Sequence, residues 1–367
     1  MAESRRGGKT RILLLGPQLD AVSGVSTHLS QLFGSGLREN FSLIHFQVGS
    51  EGRRESAPRR FMRLVFSPFR LSARILRHRP KIVHINASLD HKSFPRDATY
   101  LAVAKALRRR VLFQVHGGEM PTALYPKSAA RTRLVSYVLR SADSVILLAQ
   151  SELAAYSAFV PGARLRIIAN AISADPAGKE TEKPNTGPLR LTYVGRLVDT
   201  KGIADCLAAA KLLSDAGHDF ILTIAGAGPQ EHQLKQQACR LIETDKVRFL
   251  GSVHGEAKAS LWRESHIFVF PTSHLEGLPY SLLEAMAAGA VPITTRMGAQ
   301  PDVIEDGVHG LFVPPADPEA LYDAIVSLAD NRELLSSMSR RSQQRIRDQY
   351  TVDRLATEFG EVYRSLD

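Results

Sequence analysis

Short runs of apolar residues alternate with longer segments of helical periodicity along the chain of 367 residues. The apolar runs are rich in Val, Ile and Leu, which is typical of parallel strands buried on both faces. In the first part of the chain we predict strands at 11–15, 42–46, 81–85, 111–115, 144–148 and 166–168. In the second part we predict strands at 189–194, 220–225, 247–250, 267–270, 291–294 and 310–313. Helical periodicity lies between them, for example at 25–33, 203–214, 229–242 and 318–328.

This alternation predicts an α/β fold with parallel sheets and right-handed crossovers. The polar segment 173–188, SADPAGKETEKPNTGP, interrupts the pattern and is interpreted as a linker. It separates an N-terminal domain, 1–172, from a C-terminal domain, 189–350, and the last segment, 351–367, is an amphipathic helix expected to pack back toward the N-terminal domain. Two doubly wound domains joined in this way are expected to face each other across a cleft at the carboxyl ends of their strands, where ligands bind in such folds.

The net charge of +10 conceals an asymmetry between the two parts. Residues 1–186 carry 29 Lys and Arg against 13 Asp and Glu, or +16, whereas the remainder carries 18 against 24, or −6. The first domain is therefore expected to face an anionic partner. Much of this charge lies in 59–79, where arginines are interleaved with Phe, Leu, Val and Ile. The segment suits a helix on an anionic membrane, although it can also be an ordinary domain helix with a basic solvent face, and Pro68 is expected to kink it.

The sequence indicates a cytoplasmic protein that is at most a peripheral partner of the inner face of the plasma membrane. No apolar run approaches the roughly 20 residues that span a bilayer, and the apolar run near the N-terminus is too short for a signal peptide. Cys206 and Cys239 have no framework or metal spacing and are expected to be free thiols.

The most informative segment is 271–289, PTSHLEGLPYSLLEAMAAG, which follows the predicted strand at 267–270. A turn leads into a helix with Pro279 in its first turn, and a helix N-terminus after glycine offers N–H groups to an anion. Glu276 in the turn and Glu284 in the helix can both accept hydrogen bonds from the hydroxyls of one ligand, such as a ribose or a sugar. We interpret this arrangement as a binding site rather than a surface loop with a solvated carboxylate.

A second segment, 193–202, reads YVGRLVDTKG. The strand ends at Val194, Gly195 permits a close approach, and Arg196 and Lys201 follow in the loop. Two cations at the carboxyl end of a strand suit a diphosphate, which makes a binding role more probable than two solvated charges.

Together these residues resemble the retaining glycosyltransferases of family 4, which have the two-domain GT-B fold. The resemblance rests on the GR(x4)KG pattern at 195–202 and on the E(x7)E pattern of Glu276 and Glu284, and it is supported by AGAGP at 225–229 and FLGSV at 249–253. The whole second domain fits the family, and the first domain fits more loosely.

The resemblance implies a role for each matching residue. Arg196 and Lys201, after the turn at Gly195, would neutralise the donor diphosphate and stabilise it as a leaving group. Glu284 would hold the ribose hydroxyls, and Glu276 would bind hydroxyls of the transferred sugar.

The backbone at Gly277 and Leu278 would contact the sugar, and the backbone near Val253 the base. No cofactor and no metal ion is expected, because cations and a helix dipole stabilise the charge.

The donor would be a UDP- or GDP-sugar, and the acceptor a glycan or a lipid-linked acceptor. Transfer would proceed with retention by same-face attack, since no nucleophile is evident.

In the first domain, Gly24 lies in Ser23-Gly24-Val25, which matches the family's glycine loop near the phosphates and can also be a plain glycine turn with a serine cap. His116 matches a position beside the donor sugar. Glu119 lies nearby, with weaker grounds for a role.

Two other functions compete with an enzyme that transfers sugar. A non-catalytic GT-B protein would bind a nucleotide sugar or scaffold a complex, but the four charged residues of the site are intact. A dinucleotide-dependent oxidoreductase would need a full GxGxxG after the first strand, which the chain lacks. Nucleic acid is not an expected partner, because its binding motifs are absent.

Overall fold

The computed structural model describes residues 8–53, 55–173, 183 and 186–367. The chain divides into two compact units, the first formed by Met1–Ala171 with Val352–Asp367, and the second by Ile172–Thr351. Most of the predicted linker at 173–188 lies outside the described residues.

The first unit is built on a parallel six-stranded sheet. Its strands are β1 (Thr10–Gly16), β2 (Phe41–Gln47), β3 (Ile82–Leu89), β4 (Arg110–Gly118), β5 (Ser144–Leu147) and β6 (Leu165–Ile167). Its helices are α1 (Gly24–Gly34), α2 (Leu37–Asn40), α3 (Ala57–His78), α4 (Phe94–Ala106), α5 (Ala129–Ser141), α6 (Gln150–Phe159) and α14 (Val352–Leu366). The strand order is β2-β1-β3-β4-β5-β6, so β2 is an edge strand.

Helices cover both faces of this sheet because successive side chains of each strand point to opposite faces. Leu13 of β1 packs on one face in a core that includes Leu71 of α3. Leu14 packs on the other face with Leu29 of α1 and Phe359 of α14. The last helix of the chain is therefore part of the core of the first unit.

The second unit has the same architecture. Its strands are β7 (Leu189–Val194), β8 (Phe220–Ala225), β9 (Val247–Gly251), β10 (Ile267–Phe270), β11 (Val291–Thr294) and β12 (Leu311–Phe312). Its helices are α7 (Ile203–Asp215), α8 (Glu231–Leu241), α9 (Gly255–Glu264), α10 (Tyr280–Ala287), α11 (Gln300–Val303), α12 (Pro318–Asp330) and α13 (Arg332–Gln349). The parallel sheet has the order β12-β11-β10-β7-β8-β9. Each unit is thus a Rossmann-like doubly wound domain, as the alternation of strands and helices predicted.

Two local expectations change in the structure. The strand predicted at 310–313 shortens to Leu311–Phe312. Helix α10 begins at Tyr280, because Pro279 has extended backbone and forms the N-cap instead of the first turn. Helix α3 is continuous from Ala57 to His78 with Pro68 inside it, and the Pro68 carbonyl accepts a hydrogen bond from the Ser72 hydroxyl at 3.0 Å. Among the described residues, no helix has the length and apolar character needed to cross a membrane.

We predict that Phe359→Ala destabilises the first unit by about 3–5 kcal/mol, because the ring is fully buried and its removal leaves a cavity. Urea denaturation followed by circular dichroism measures the loss. Amide hydrogen exchange should become faster in peptides of α1 and β1, which pack against Phe359. Leu134→Ala, at an exposed position of α5, is the control and should change the stability by less than about 1 kcal/mol. Equal losses in the two variants would contradict the assignment of α14 to this core.

Candidate functional site

The turn after β7 is shaped by close contact between two glycine-containing segments. The Gly195 amide donates to the Ala225 carbonyl at 3.1 Å. Gly226 has a positive φ of 156°, and a Cβ at this position would overlap the Gly195 carbonyl oxygen. Only glycine permits this approach, so the AGAGP segment fixes the turn that carries Arg196. The Arg196 side chain is exposed. The backbone carbonyl of Arg196 accepts a hydrogen bond from the Tyr193 hydroxyl at 3.1 Å.

A buried ion pair joins the two predicted motifs. The Lys201 ammonium is bonded to Oε1 of Glu276, and their side chains are only 8% and 13% exposed. The Thr272 hydroxyl lies 3.2 Å from the same carboxylate oxygen. Lys201 also lies 5.8 Å from the centre of the Phe270 ring, within the range of a cation–π contact. The loop after β7 and the loop after β10 are thereby held together at the carboxyl ends of adjacent strands.

The pKa of Lys201 shows how the charges lie around this pair. Burial lowers the pKa below its ordinary value, the Glu276 carboxylate opposes that effect, and the positive charge of Arg196 lowers the pKa further. Arg196 therefore lies close enough to Lys201 for the two cations to repel each other. An anion placed beside both cations would relieve that repulsion.

Glu284 is held by a second set of contacts, to side chains of α9. Lys258 lies 2.6 Å from its Oε2 atom, and the Trp262 indole N–H donates to the same atom at 3.3 Å. Because both contacts use Oε2, the other carboxylate oxygen is the one that can accept from a ligand hydroxyl. Lys258 and Trp262 were not identified from the sequence. Their spacing of four residues on one helix was the available signal, but it does not reveal which element they face.

The backbone positions of the predicted site lie near these side chains. Gly277 is half-buried, and Leu278 is buried at the end of the turn. The Glu276 carbonyl accepts from the Ala299 amide at 3.2 Å, and Gly298, with φ of 62°, packs so closely on it that a Cβ would overlap. Val253 is half-buried in the segment that joins β9 to α9.

In the first unit, Gly24 is the first residue of α1. The Ser23 hydroxyl caps the helix by accepting from the Ser26 amide at 3.2 Å. Both interpretations of this segment remain compatible with the structure, because a serine cap and an exposed Gly24 can coexist with a ligand at the helix N-terminus.

His116 lies near the carboxyl end of β4, and its imidazole contacts a residue of the neighbouring strand β3. Its Nε2 atom is 2.8 Å from the Asn86 side-chain oxygen, and the Asn86 amide donates to the Leu15 carbonyl at 3.0 Å. This chain of contacts fixes the imidazole at the carboxyl end of the sheet. The His28 ring lies 4.7 Å from it, centre to centre, in an edge-on arrangement. Glu119 is exposed.

Two further buried histidines, His28 and His84, were not identified from the sequence. His84 lies 2.8 Å from the Tyr363 hydroxyl and 3.0 Å from the Gln114 side-chain oxygen. Burial lowers the pKa of both His28 and His84 to about 3. Burial and the two neighbouring imidazoles lower the pKa of His116 well below its ordinary value. His116 is therefore neutral at physiological pH and can accept or donate a hydrogen bond without carrying charge.

The structure thus brings Arg196, Lys201 and Glu276 into one electrostatic group. Glu284 lies at the end of a separate set of contacts in the same unit, and Gly24 and His116 belong to the first unit. Cys206 and Cys239, predicted to be free, form no disulfide.

Two family models match the chain one after the other. "Glycosyltransferase Family 4" matches residues 7–175, and "Glycosyl transferases group 1" matches residues 176–345. The chain belongs to this glycosyltransferase family.

Similar proteins include a glycogen synthase of Mycobacterium tuberculosis, 32% identical over 232 residues, which covers 62% of this chain and 55% of the relative. The phosphatidyl-myo-inositol mannosyltransferase of Mycobacterium leprae is 32% identical over 175 residues, which covers 47% of this chain and 46% of the relative. The chain therefore spans about half the length of the curated relatives it matches.

Two solved structures show the same fold over nearly the full length. Sucrose-phosphate synthase from Thermosynechococcus elongatus superposes with a TM-score of 0.80 at 18% identity, covering 98% of this chain and 99% of the other. Anabaena HepE, solved in complex with UDP-glucose, superposes with a TM-score of 0.75 at 15% identity, covering 97% and 99%. These likenesses establish the GT-B fold.

We predict that the first unit loses stability as the pH falls from about 6.5 toward 3. His28 and His84 are neutral when folded, with a pKa of about 3, whereas an unfolded histidine has a pKa of about 6.5. In this window the unfolded chain binds more protons, so the free energy of unfolding decreases as the pH decreases and is fully regained above about pH 6.5.

Urea denaturation at several pH values measures this effect. His28→Gln should make the pH dependence shallower, by up to about 1.4 kcal/mol for each pH unit in the window. His232→Gln, at an exposed position of α8, is the control for removing a solvated imidazole. An unchanged slope in His28→Gln would show that the buried histidine is not responsible.

Proposed function

We propose that the protein transfers a hexose from a nucleotide-diphosphate sugar to a hydroxyl of a glycan or lipid-linked acceptor. The observation that carries the proposal is the group formed by Arg196, Lys201 and Glu276 at the carboxyl ends of β7 and β10, with Glu284 in the following helix. Membership of the family and the GT-B fold support it.

The two cations suit the donor diphosphate. Lys201 uses one interaction on Glu276, and an ammonium group has three N–H donors, so it can bind a phosphate oxygen without leaving the carboxylate. Arg196 is exposed and can present its planar guanidinium to the same diphosphate. We assign the neutralisation of the leaving group to these residues, without a metal ion.

The two carboxylates suit the hydroxyls of the donor. Glu276 lies beside Lys201, so a donor whose diphosphate is bound by Lys201 would have its sugar next to this carboxylate. Glu284 would accept from ribose hydroxyls through the oxygen that does not contact α9. In the first unit, we assign His116 and Gly24 to the donor sugar and the phosphates, as the family resemblance implies.

We propose that the transfer retains the configuration of the anomeric carbon. The bond from this carbon to the leaving phosphate breaks, the acceptor oxygen bonds to the same face, and a leaving phosphate oxygen takes the acceptor proton. Atoms and charge balance without an additional base. The residues of the site then act by positioning the donor and by stabilising the negative charge of the leaving group.

Helix α3 supports a further part of the proposal, which is reversible contact with an anionic membrane. Phe61 and Phe69 on this helix are 65% and 69% exposed. Leu76 and Val65 extend the same apolar surface, and arginines flank it. Exposed apolar side chains beside basic residues favour the interface of an anionic bilayer.

The donor assignment predicts that one nucleotide class raises the melting temperature of the protein in a panel of UDP, GDP, ADP and their sugars. Lys201→Ala and Glu284→Ala should each abolish the shift, and Lys201→Ala should reduce transfer at least about 100-fold by removing charge stabilisation. Each shift is measured against the same variant without ligand, because Lys201→Ala leaves a buried carboxylate unpaired and lowers the resting stability as well.

Matched controls are available on neighbouring helices. Glu256→Ala on α9 and Lys211→Ala on α7 remove charges of the same type at more exposed positions and should keep the nucleotide shift. A panel in which no nucleotide stabilises the wild-type protein would overturn the proposal. Stabilisation without any transfer or donor hydrolysis would favour the non-catalytic alternative.

The membrane assignment predicts co-sedimentation with phosphatidylglycerol vesicles at low salt and release at high salt, where the attraction to the arginines is screened. Phe61→Ser with Phe69→Ser should weaken the binding about tenfold or more, since two large apolar side chains leave the bilayer interface. The paired change Leu134→Ser with Tyr137→Ser, at exposed positions of α5, is the control. If equal amounts of protein were found in the pellet with and without vesicles at low salt, the proposed membrane contact would be rejected.

A further inference from the structure

A cavity of about 510 Å³ lies beside the edge strand of the first unit, between β2 and α3. None of the site residues discussed above lines it. Four arginines contribute to its wall, together with polar side chains at the end of β2. These residues are Arg53, Arg70, Arg74, Arg77, His45 and Gln47.

Three rows of side chains run along α3, and they separate its basic face from its apolar face. The buried row is Ser67, Leu71 and Ile75. The basic row is Arg63, Arg70, Arg74 and Arg77. The exposed apolar row is Phe61, Val65, Phe69 and Leu76. At about 100° per residue, the basic row is centred about 90° to one side of the buried row and the apolar row about 125° to the other. The cavity arginines therefore face a different direction from the side chains assigned to a membrane.

The cavity lacks a compensating negative charge among the described residues. Glu55 is the nearby carboxylate, and it is already bound by the Nε atom of Arg63 at 2.9 and 3.1 Å. The Nε atoms of Arg53 and Arg74 are buried without a hydrogen-bond partner. Burial and the charges of Arg63 and Arg70 lower the pKa of Arg53, although Glu55 opposes the effect. Arg53 and Arg74 are half-buried, whereas Arg70 and Arg77 are exposed. Half-buried cations without a nearby counter-charge are costly unless a ligand neutralises them.

Gln47, at the carboxyl end of β2, forms part of the cavity wall, and this is the end of the sheet at which His116 of β4 lies. Helix α3 runs antiparallel to the strands, so its side chains lean toward its N-terminus and hence toward the carboxyl ends of the strands. Gln47 is level with Gly16 at the end of β1, and the strand order places β1 and β3 between β2 and β4, which carries His116. Three strand spacings of about 4.8 Å separate β2 from β4 by about 14 Å.

We propose that this cavity binds a phosphate group of the acceptor, either a phosphomonoester or a pyrophosphate. Guanidinium groups match phosphate oxygens in pairs of hydrogen bonds, and several of them suit a group with more than one negative charge better than a single carboxylate. The separation of β2 from β4 leaves space for sugar between a phosphate in the cavity and a reacting hydroxyl near His116. The inference rests on the proposed function for the identity of the ligand as acceptor, whereas the anion site itself can be tested without catalysis.

Inorganic pyrophosphate and phosphate are the probes, with binding measured by isothermal titration calorimetry in the presence of saturating UDP or GDP, whichever binds. The nucleotide blocks the donor site, so remaining binding reports on the cavity. The expected result is one site in the wild-type protein. Its affinity should be about 10- to 100-fold lower in Arg70→Gln with Arg74→Gln, because each lost contact is a charged hydrogen bond. Arg133→Gln, at an exposed position of α5, is the matched control and should bind as the wild type does.

A folding control separates loss of the site from loss of structure. Removing two cations that lack a counter-charge should leave the melting temperature without ligand unchanged or raised, and only the stabilisation by pyrophosphate should disappear. An affinity that is unchanged in the double variant, or reduced equally in Arg133→Gln, would overturn the proposal. Failure of the nucleotide panel with intact pyrophosphate binding would reject the donor assignment and leave this anion site standing.

Vesicles distinguish a lipid-borne phosphate from a soluble one. Phosphatidic acid carries a phosphomonoester and phosphatidylglycerol a diester, so vesicles of equal surface charge differ in the group presented. Stronger binding to phosphatidic acid that disappears in the double arginine variant, but not in Phe61→Ser with Phe69→Ser, supports a lipid-borne phosphate. Binding of soluble pyrophosphate with no preference between the vesicles supports a soluble phosphorylated acceptor.

Discussion

A lysine and a glutamate with little exposure to water determine how the loops of the second unit are arranged. Lys201 and Glu276 lie in loops that follow adjacent strands, and each would be costly to bury alone. Their pairing offsets that cost and places one positive and one negative group side by side. Arg196 adds a second cation near the first, which leaves the group with net positive charge. The loops are therefore held in a form that already favours a diphosphate before any ligand arrives, so less reorganisation is needed on binding.

This pairing requires the backbone segments to approach one another more closely than most residues permit. Gly226 packs on the Gly195 carbonyl, and Gly298 packs on the Glu276 carbonyl. A side chain at either position would push one of the charged loops away from the other. The glycines thus allow the ion pair to form because they have no side chain between the loops. Thr272 and Ala299 hold the Glu276 loop in position through hydrogen bonds.

The sequence predicts those parts of the molecule that depend on local pattern. Buried parallel strands are continuous apolar runs, so the strands of both sheets could be located, and the motif residues Lys201 and Glu276 follow from strand–turn–helix spacing. Contacts set by the packing of distant elements could not be located. Lys258 and Trp262 meet Glu284 only because α9 packs beside α10, and His84 meets Tyr363 across most of the length of the chain. The extent of β12 was also overestimated, because an edge strand ends where its pairing ends and not where its apolar residues do.

The basic, amphipathic character of the segment 59–79 does not reveal that its arginines and its exposed apolar residues form two different surfaces. Read as one basic amphipathic stretch, it has one apolar side and one charged side. In the folded unit the buried row takes up the middle of the helix surface, and the basic row and the row formed by Phe61, Val65, Phe69 and Leu76 lie on opposite sides of it. The excess charge of the first part of the chain is thus partly concentrated around a cavity, where several guanidinium groups can act on one anion. A solvated basic face would attract any anionic surface weakly, whereas a cavity lined by guanidinium groups selects for a compact group of matching size and charge.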